Sequence, residues 1–151
     1  MGLIMKPSSL LANLPQHSLL VLDTAPVIYL LEGNEKHLPN FLPVFRAAER
    51  GEVRILVTSI TVAEVLAGPL KAGKEALAER YEAALREGLG WKVVDLTADT
   101  AARAARLRIR YNLKLPDAFQ LAATLVHNAT ALVTHDRDFG KATQEVNILG
   151  L

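Results

Sequence analysis

Leu19-Leu20-Val21-Leu22-Asp23-Thr24 places four apolar residues in unbroken succession before a carboxylate and a hydroxyl. An apolar run without alternation suits a strand covered on both faces, as in a parallel sheet. A helical pattern follows at once, with Pro26 preset for a first turn and Val27, Ile28, Leu30 and Leu31 on an apolar face. Open α/β sheets bind ligands beyond the carboxyl ends of their strands, which is where Asp23 falls. Asp23 is equally suited to capping the helix it precedes. Other acids arriving at the same edge would favour chemistry.

The same order of strand, polar residue and helix returns along the chain. Phe41, Leu42, Val44, Phe45 and Ala48 predict a helix closed by Gly51, and the spacing predicts a strand from Arg54 to Ser59. His37, in the polar stretch before that helix, reads as a surface residue. Thr61-Val62-Ala63-Glu64 then opens a helix with capping-box spacing, which accounts for Glu64 without chemistry. A first-turn glutamate at the carboxyl edge can also face a metal. Lys74 to Arg86 reads as a helix ending at Gly88 or Gly90, and Trp91 to Leu96 as a strand with Trp91 in a packing role. Asp95 and Asp99 read as caps for a helix from Ala98 to about Asn112.

On that helix Arg103, Arg106 and Arg110 fall within about 60° of one another at 100° per residue. Such a stripe is either a solvated face or a phosphate contact. Alanines, Leu107, Ile109 and Tyr111 are expected on the opposite arc, where Arg108 would snorkel or point into a partner subunit. Leu115-Pro116-Asp117-Ala118 starts the next helix and puts Asp117 in its first turn, where the macrodipole favours an anion. Ala118, Leu121, Ala122, Leu125 and Val126 supply a buried stripe, and His127 stands near the helix end. A second wholly apolar strand, Ala131-Leu132-Val133, runs into Thr134-His135-Asp136-Arg137-Asp138-Phe139-Gly140, and Val146 to Leu149 reads as a last short strand.

Alternating strands and helices specify an α/β protein with a parallel sheet. The 151 residues, half of them hydrophobic, suffice for one domain, here residues 19–151 behind an irregular leader over 1–18 that contains Met5, an alternative start. A formal net charge of +1 gives no global attraction to nucleic acid or anionic membrane, so phosphate binding would need a local patch or bound cations. With no cysteine, disulfides and thiolate metal sites are excluded. No apolar run reaches the length of a signal peptide or membrane span. A soluble cytoplasmic protein with no membrane partner is expected.

Asp23, Glu64, Asp117 and Asp136 all stand where a strand has just ended or a helix has just begun. In a parallel sheet those positions share one edge. Four carboxylates there would not all ionise cheaply without a cation. Oxygen-only ligands favour a hard ion, Mg²⁺ or Mn²⁺, of the kind that works on phosphates.

Leu22-Asp23-Thr24, Thr61-Val62-Ala63-Glu64, Pro116-Asp117-Ala118 and Val133-Thr134-His135-Asp136-Arg137-Asp138-Phe139 resemble the four signature segments of PIN-domain nucleases. The similarity is greatest to the small VapC-type ribonuclease toxins of prokaryotic toxin–antitoxin pairs, and it runs from about Leu19 to Leu149. It implies a three-layer α/β/α fold with about five parallel strands in the order 3-2-1-4-5, and metal-dependent hydrolysis of RNA phosphodiesters. By position, Asp23, Glu64, Asp117 and Asp136 become the catalytic acids that hold Mg²⁺ or Mn²⁺, with Asp138 auxiliary through water. Thr24 or Thr134 would hydrogen-bond a ligand carboxylate or the substrate phosphate, while Arg103, Arg106 and Arg110 would meet RNA; His135 receives no role. The resemblance also implies a homodimer and a small antitoxin whose chain plugs the acidic site. Two alternatives share the sequence pattern: a non-catalytic RNA-binding module on this fold, and a phosphate-accepting receiver domain. The receiver usually carries an adjacent acidic pair where this chain has Asp23 alone.

Overall fold

Side-chain alternation along three strands builds two cores, one on each face of the sheet. In a computed structural model that describes residues 10–88 and 90–151, β1 (Ser18–Leu22), β2 (Val53–Thr58), β3 (Trp91–Val94), β4 (Ala131–Val133) and β5 (Asn147–Leu149) form one sheet. Its order is β3-β2-β1-β4-β5 and every pairing is parallel. Leu20, Leu22, Ile55, Val57, Ala131 and Val133 point to one face, and Val21, Leu56 and Leu132 to the other. All nine are at most 3% exposed, so both faces exclude water, as the unalternating apolar runs require.

The first face is covered by α1 (Thr24–Glu32), α2 (Leu38–Glu49), α3 (Ser59–Lys71) and α4 (Glu75–Glu87), through Val27, Phe41, Phe45, Val65 and Leu85. On the second face, α5 (Ala98–Tyr111) and α6 (Leu115–Val126) supply Ala104, Leu107, Ala118, Leu121 and Ala122. A 3-10 turn, Arg137–Ala142, connects β4 to the run into β5 and buries Phe139. The parallel α/β architecture and the 3-2-1-4-5 order agree with expectation. The leader as far as residue 9, Met5 included, lies outside the described residues.

Several boundaries shift for local reasons. The second strand stops at Thr58 because its Oγ1 accepts a hydrogen bond from the Thr61 N–H, capping α3 and drawing Ser59 into the helix. The third strand ends at Val94, and Thr97 rather than Asp95 or Asp99 caps α5. Trp91 packs as expected, stacked on Phe45 with ring centroids 5.5 Å apart.

Order reverses between β1 and β4, and their carboxyl ends therefore flank the crevice where such sheets bind ligands. The Asp23 N–H donates to the Val133 carbonyl at 2.9 Å, and the Thr134 N–H to the Leu149 carbonyl at 2.9 Å, extending the ladder one residue into that crevice.

Candidate active site

Asp23 occupies the N-cap position of α1, yet its side chain makes no capping bond. Its two oxygens turn inward, one accepting from the Thr134 hydroxyl at 2.8 Å and the other from Gln120 Nε2 at 3.4 Å. At 7% exposure the carboxyl is pushed upward by burial, with Thr134 pulling the other way. Capping therefore does not explain this acid.

Gln120 stands one turn beyond Asp117 on α6, so the two side chains share a face. Its Oε1 accepts from the Thr58 hydroxyl at 2.9 Å, and its Nε2 also donates to Thr61 Oγ1 at 2.8 Å. Gln120, Thr58, Thr61 and Thr134 are each at most 1% exposed. Every one finds a partner, as buried polar groups must. One amide thus links α6 to the ends of β1 and β2 and to the first turn of α3.

The expected capping box at Thr61 is not formed. With Thr58 as the cap, Glu64 lies beyond the first turn, exposed, and accepts a hydrogen bond from the Thr24 hydroxyl at 2.5 Å. Thr24 Oγ1 also lies 3.3 Å from Thr61 Oγ1.

Asp117, Asp136 and Asp138 each offer one carboxylate oxygen, and these three atoms lie within 4.8 Å of one another. The Asp138 N–H donates to Asp136 Oδ1 at 2.9 Å, and the Asp136 N–H to Thr134 Oγ1 at 3.0 Å. The Thr134 hydroxyl is therefore shared between Asp23, to which it donates, and the Asp136 backbone, from which it accepts. Asp117 Oδ2 is buried without a hydrogen-bond partner, the sole such side-chain atom among the described residues. Its carboxyl is pushed up to about 6, first by burial and then by the charges of Asp23 and Asp136, with Glu64 adding to them. Lys114 is the cation that opposes this. Asp23 and Glu64 stand outside the 4.8 Å group but within electrostatic reach of it.

An orphaned buried oxygen, a crowd of like charges and a donor set made entirely of oxygen together fit a hard divalent cation. A sequence model of the PIN domain matches residues 20–144, a span that runs from β1 through this whole acidic edge. The chain belongs to the PIN domain family. That membership disposes of the receiver-domain alternative.

Solved structures agree with the fold of this PIN domain. It is similar to a chain of a toxin–antitoxin complex from Klebsiella pneumoniae, with 29% identity, TM-score 0.61, and 79% of this chain and 88% of that one covered. VapBC2 from Rickettsia felis, bound to a DNA fragment from its promoter, matches at 20% identity and TM-score 0.66, covering 87% and 98%. VapC20 of Mycobacterium tuberculosis, a toxin that cleaves the sarcin–ricin loop, matches at 17% identity and TM-score 0.64, covering 82% and 94%. No curated protein matches this chain significantly. No helix among the described residues is long and apolar enough to cross a membrane.

The basic stripe of the PIN domain has an internal counter-ion. Arg110 Nη1 donates to Glu145 Oε1 at 2.9 Å, the Tyr111 hydroxyl donates to the same oxygen at 2.6 Å, and Arg103 and Arg106 line the same recess. The opposite arc differs from expectation, because Ile109 is 81% exposed. It lies about 200° around the helix from Leu107, so both cannot face the core. Thr100, Ala104, Leu107 and Tyr111 form the buried face, and Arg108 is exposed to solvent.

Sequence reasoning missed Gln120, Thr58 and Lys114. Gln120 lies with Asp117 and Thr124 on the side of α6 opposite the Ala118, Leu121 and Ala122 stripe, so helical spacing gives no sign that the fold buries it to 1% exposure. Lys114 did carry a signal, since it stands three residues before Asp117 at the N-cap of the same helix.

Proposed function

We propose that this PIN domain is a divalent-metal-dependent endoribonuclease and the toxin of a VapBC-type pair, acting in the cytoplasm. The observation that carries the reading is Asp117, whose buried, unpartnered oxygen sits in a group of three carboxylates with Asp23 and Glu64 close behind. Asp117, Asp136 and Asp138 would hold Mg²⁺ or Mn²⁺, with Asp23 and Glu64 completing the negative pocket. When bound, the ion would polarise the phosphoryl oxygens and lower the pKa of an attacking water.

The protein's own part is orientation. Thr134 and Gln120 fix Asp23, Thr24 fixes Glu64, and the Asp136 backbone is tied to Thr134. In-line attack of water on phosphorus with departure of the 3′ oxygen then requires no nucleophilic side chain. Lys114, exposed at the start of α6, can meet a backbone phosphate, and so can Arg103, Arg106 and Arg110.

Toxin–antitoxin assembly is supported by the Klebsiella relative at 29% identity, itself described as a toxin–antitoxin complex. A small antitoxin whose chain blocks the acids is the partner we infer. Homodimer formation is inferred from the family resemblance, with Ile109, 81% exposed on α5, as one side chain that such a contact would cover.

The deciding experiment digests RNA with purified wild type and Asp117→Asn in Mn²⁺, Mg²⁺ or EDTA and maps the cut sites. Cleavage that needs the metal and vanishes in the variant is expected. Cleavage that survives EDTA, or full activity of the variant, would overturn the assignment. RNA binding without cleavage would leave the non-catalytic alternative.

A further inference from the structure

Beside the acids, four rings from three parts of the chain come together. Tyr29 of α1 stacks on His37, at the N-cap of α2, with centroids 4.9 Å apart and planes 27° from parallel. His37 and His135 are 4.9 Å apart, and His135 meets the edges of Tyr29 and Phe41 at 5.7 Å and 5.6 Å. Tyr29 Oη and His135 Nδ1 share a hydrogen bond of 2.8 Å. Phe41, 1% exposed, is the floor, whereas Tyr29, His37 and His135 keep part of their surface in solvent. His37, expected at the surface, is half-buried by its place in this cluster.

The cluster is built in advance of any ligand. Asn34 Oδ1 accepts from the backbone N–H groups of Lys36 and His37 at 3.0 and 2.8 Å, and the Leu38 N–H donates to the Asn34 carbonyl at 3.0 Å. These bonds hold the loop that presents His37. His135 lies between Thr134 and Asp136, with trans peptides and hence Cα atoms about 3.8 Å apart. Thr134 and Asp136 turn towards the acids, and His135 turns towards the rings. Packing alone would be served by aliphatic side chains. Two imidazoles and a phenol, partly open to water, instead offer flat faces and polar edges beside a site for a phosphodiester.

The geometry points to a nucleobase subsite: the rings of His37, Tyr29 and His135 receive one unpaired base of a single-stranded RNA whose adjoining phosphate lies over the acids. This rests on the ribonuclease reading for the identity of the nucleic acid. Stacking on such rings suits any base that is not already stacked in a duplex. The free edges of the imidazoles and the exposed Lys36 next to His37 can then favour one base or position.

The test is a coupling measurement on the 151-residue chain in Ca²⁺, a divalent ion that neutralises carboxylates so that a phosphate can lie over them. A fluorescein-labelled single-stranded RNA of about eight nucleotides, within the usual site size, is bound to wild type, His37→Ala and His37→Phe, and abasic sites are scanned along it. In wild type, one abasic position should weaken binding on the order of tenfold, the lower end for one base on one ring. His37→Ala should bind the intact RNA about tenfold more weakly and lose nothing further at that position. His37→Phe should keep the coupling, which a loss of folding would not allow. A flat scan, additive losses in His37→Ala, or no measurable RNA binding overturns the subsite. Metal-dependent cleavage by the same wild-type protein separates the two readings. Cleavage with a flat scan removes only the subsite, and a coupled scan without cleavage removes only the nuclease.

Discussion

The Thr134 hydroxyl donates to Asp23 across 2.8 Å, joining residues 111 positions apart in sequence at the ends of two neighbouring strands. The same hydroxyl accepts from the Asp136 backbone. A side chain of three heavy atoms therefore sets both the orientation of one acid and the path of the loop that delivers two more. The site is buried and hydrogen-bonded where it meets the sheet, while Glu64 and Asp138 at its rim are exposed.

The first prediction concerns Asp117 and pH. Its folded value of about 6 stands above the ordinary 3.8, so between those limits the folded state binds more protons than the unfolded chain. Stability in EDTA must then fall as pH rises from about 4 through about 6 and level off above. The raised carboxyl of Asp23 adds to the same slope. Two pH units would correspond to about 3 kcal/mol, and partial exposure of Asp117 cuts this to on the order of 1 kcal/mol. Asp117→Asn should accordingly raise Tm by roughly 3 °C at pH 7 in EDTA and flatten the pH profile. Mn²⁺ should raise the Tm of wild type and not that of the variant. An identical pH slope in both proteins would show that these charges do not meet.

Gln120→Leu keeps most of the volume and removes the amide. It leaves the Thr58 hydroxyl and one oxygen of Asp23 without their partner in a dry setting. A loss of about 2 kcal/mol is expected, read as a lower urea midpoint at unchanged slope. Mn²⁺ affinity, followed by calorimetric titration, should fall together with it. An unaltered midpoint would mean that the threonines repair the network themselves.

Gly150→Ala should damage the site from behind. Gly150 has φ +102°, and a Cβ there would sit 2.2 Å from the Thr134 carbonyl oxygen and 2.8 Å from the Phe41 ring. Backbone strain and overlap together should cost more than about 2 kcal/mol. Gly73→Ala, at φ +72° but facing open space, is the control, and should cost about 1 kcal/mol from strain alone. Equal urea midpoints for the two variants would refute the close approach.

The arginines should differ in their salt response. If α5 meets RNA, Arg106→Ala should lower the slope of log K against log salt by about 1 and weaken binding to all sequences alike. Arg110, already paired with Glu145, should change the slope less. Fluorescence titrations between low and physiological salt give both slopes, and a larger change for Arg110→Ala would reverse this ranking.

Legibility in the sequence followed the physics of each feature. Strands β1 and β4 were visible because burial on both faces leaves only apolar residues, and α6 because its stripe repeats at helical spacing. Boundaries at Thr58 and Thr97 were harder, since a hydroxyl looks the same whether it ends a strand or caps a helix. Ile109 shows that apolar character does not imply burial, because on a helix the angle decides which side chains face the core.

By itself, the sequence determined the parallel α/β plan and the set of acids at its carboxyl edge, because hydrophobic periodicity and the chemistry of a residue type are local properties. The tertiary structure alone decided that Asp138 joins Asp117 and Asp136, that Gln120 ties Asp23 to three other elements, and that Tyr29, His37 and His135 share one surface. Asp117 and Asp138, Gln120 and Asp23, and Tyr29 and His135 are far apart in the chain, and no spacing along a sequence encodes such a distance until the sheet has closed around it.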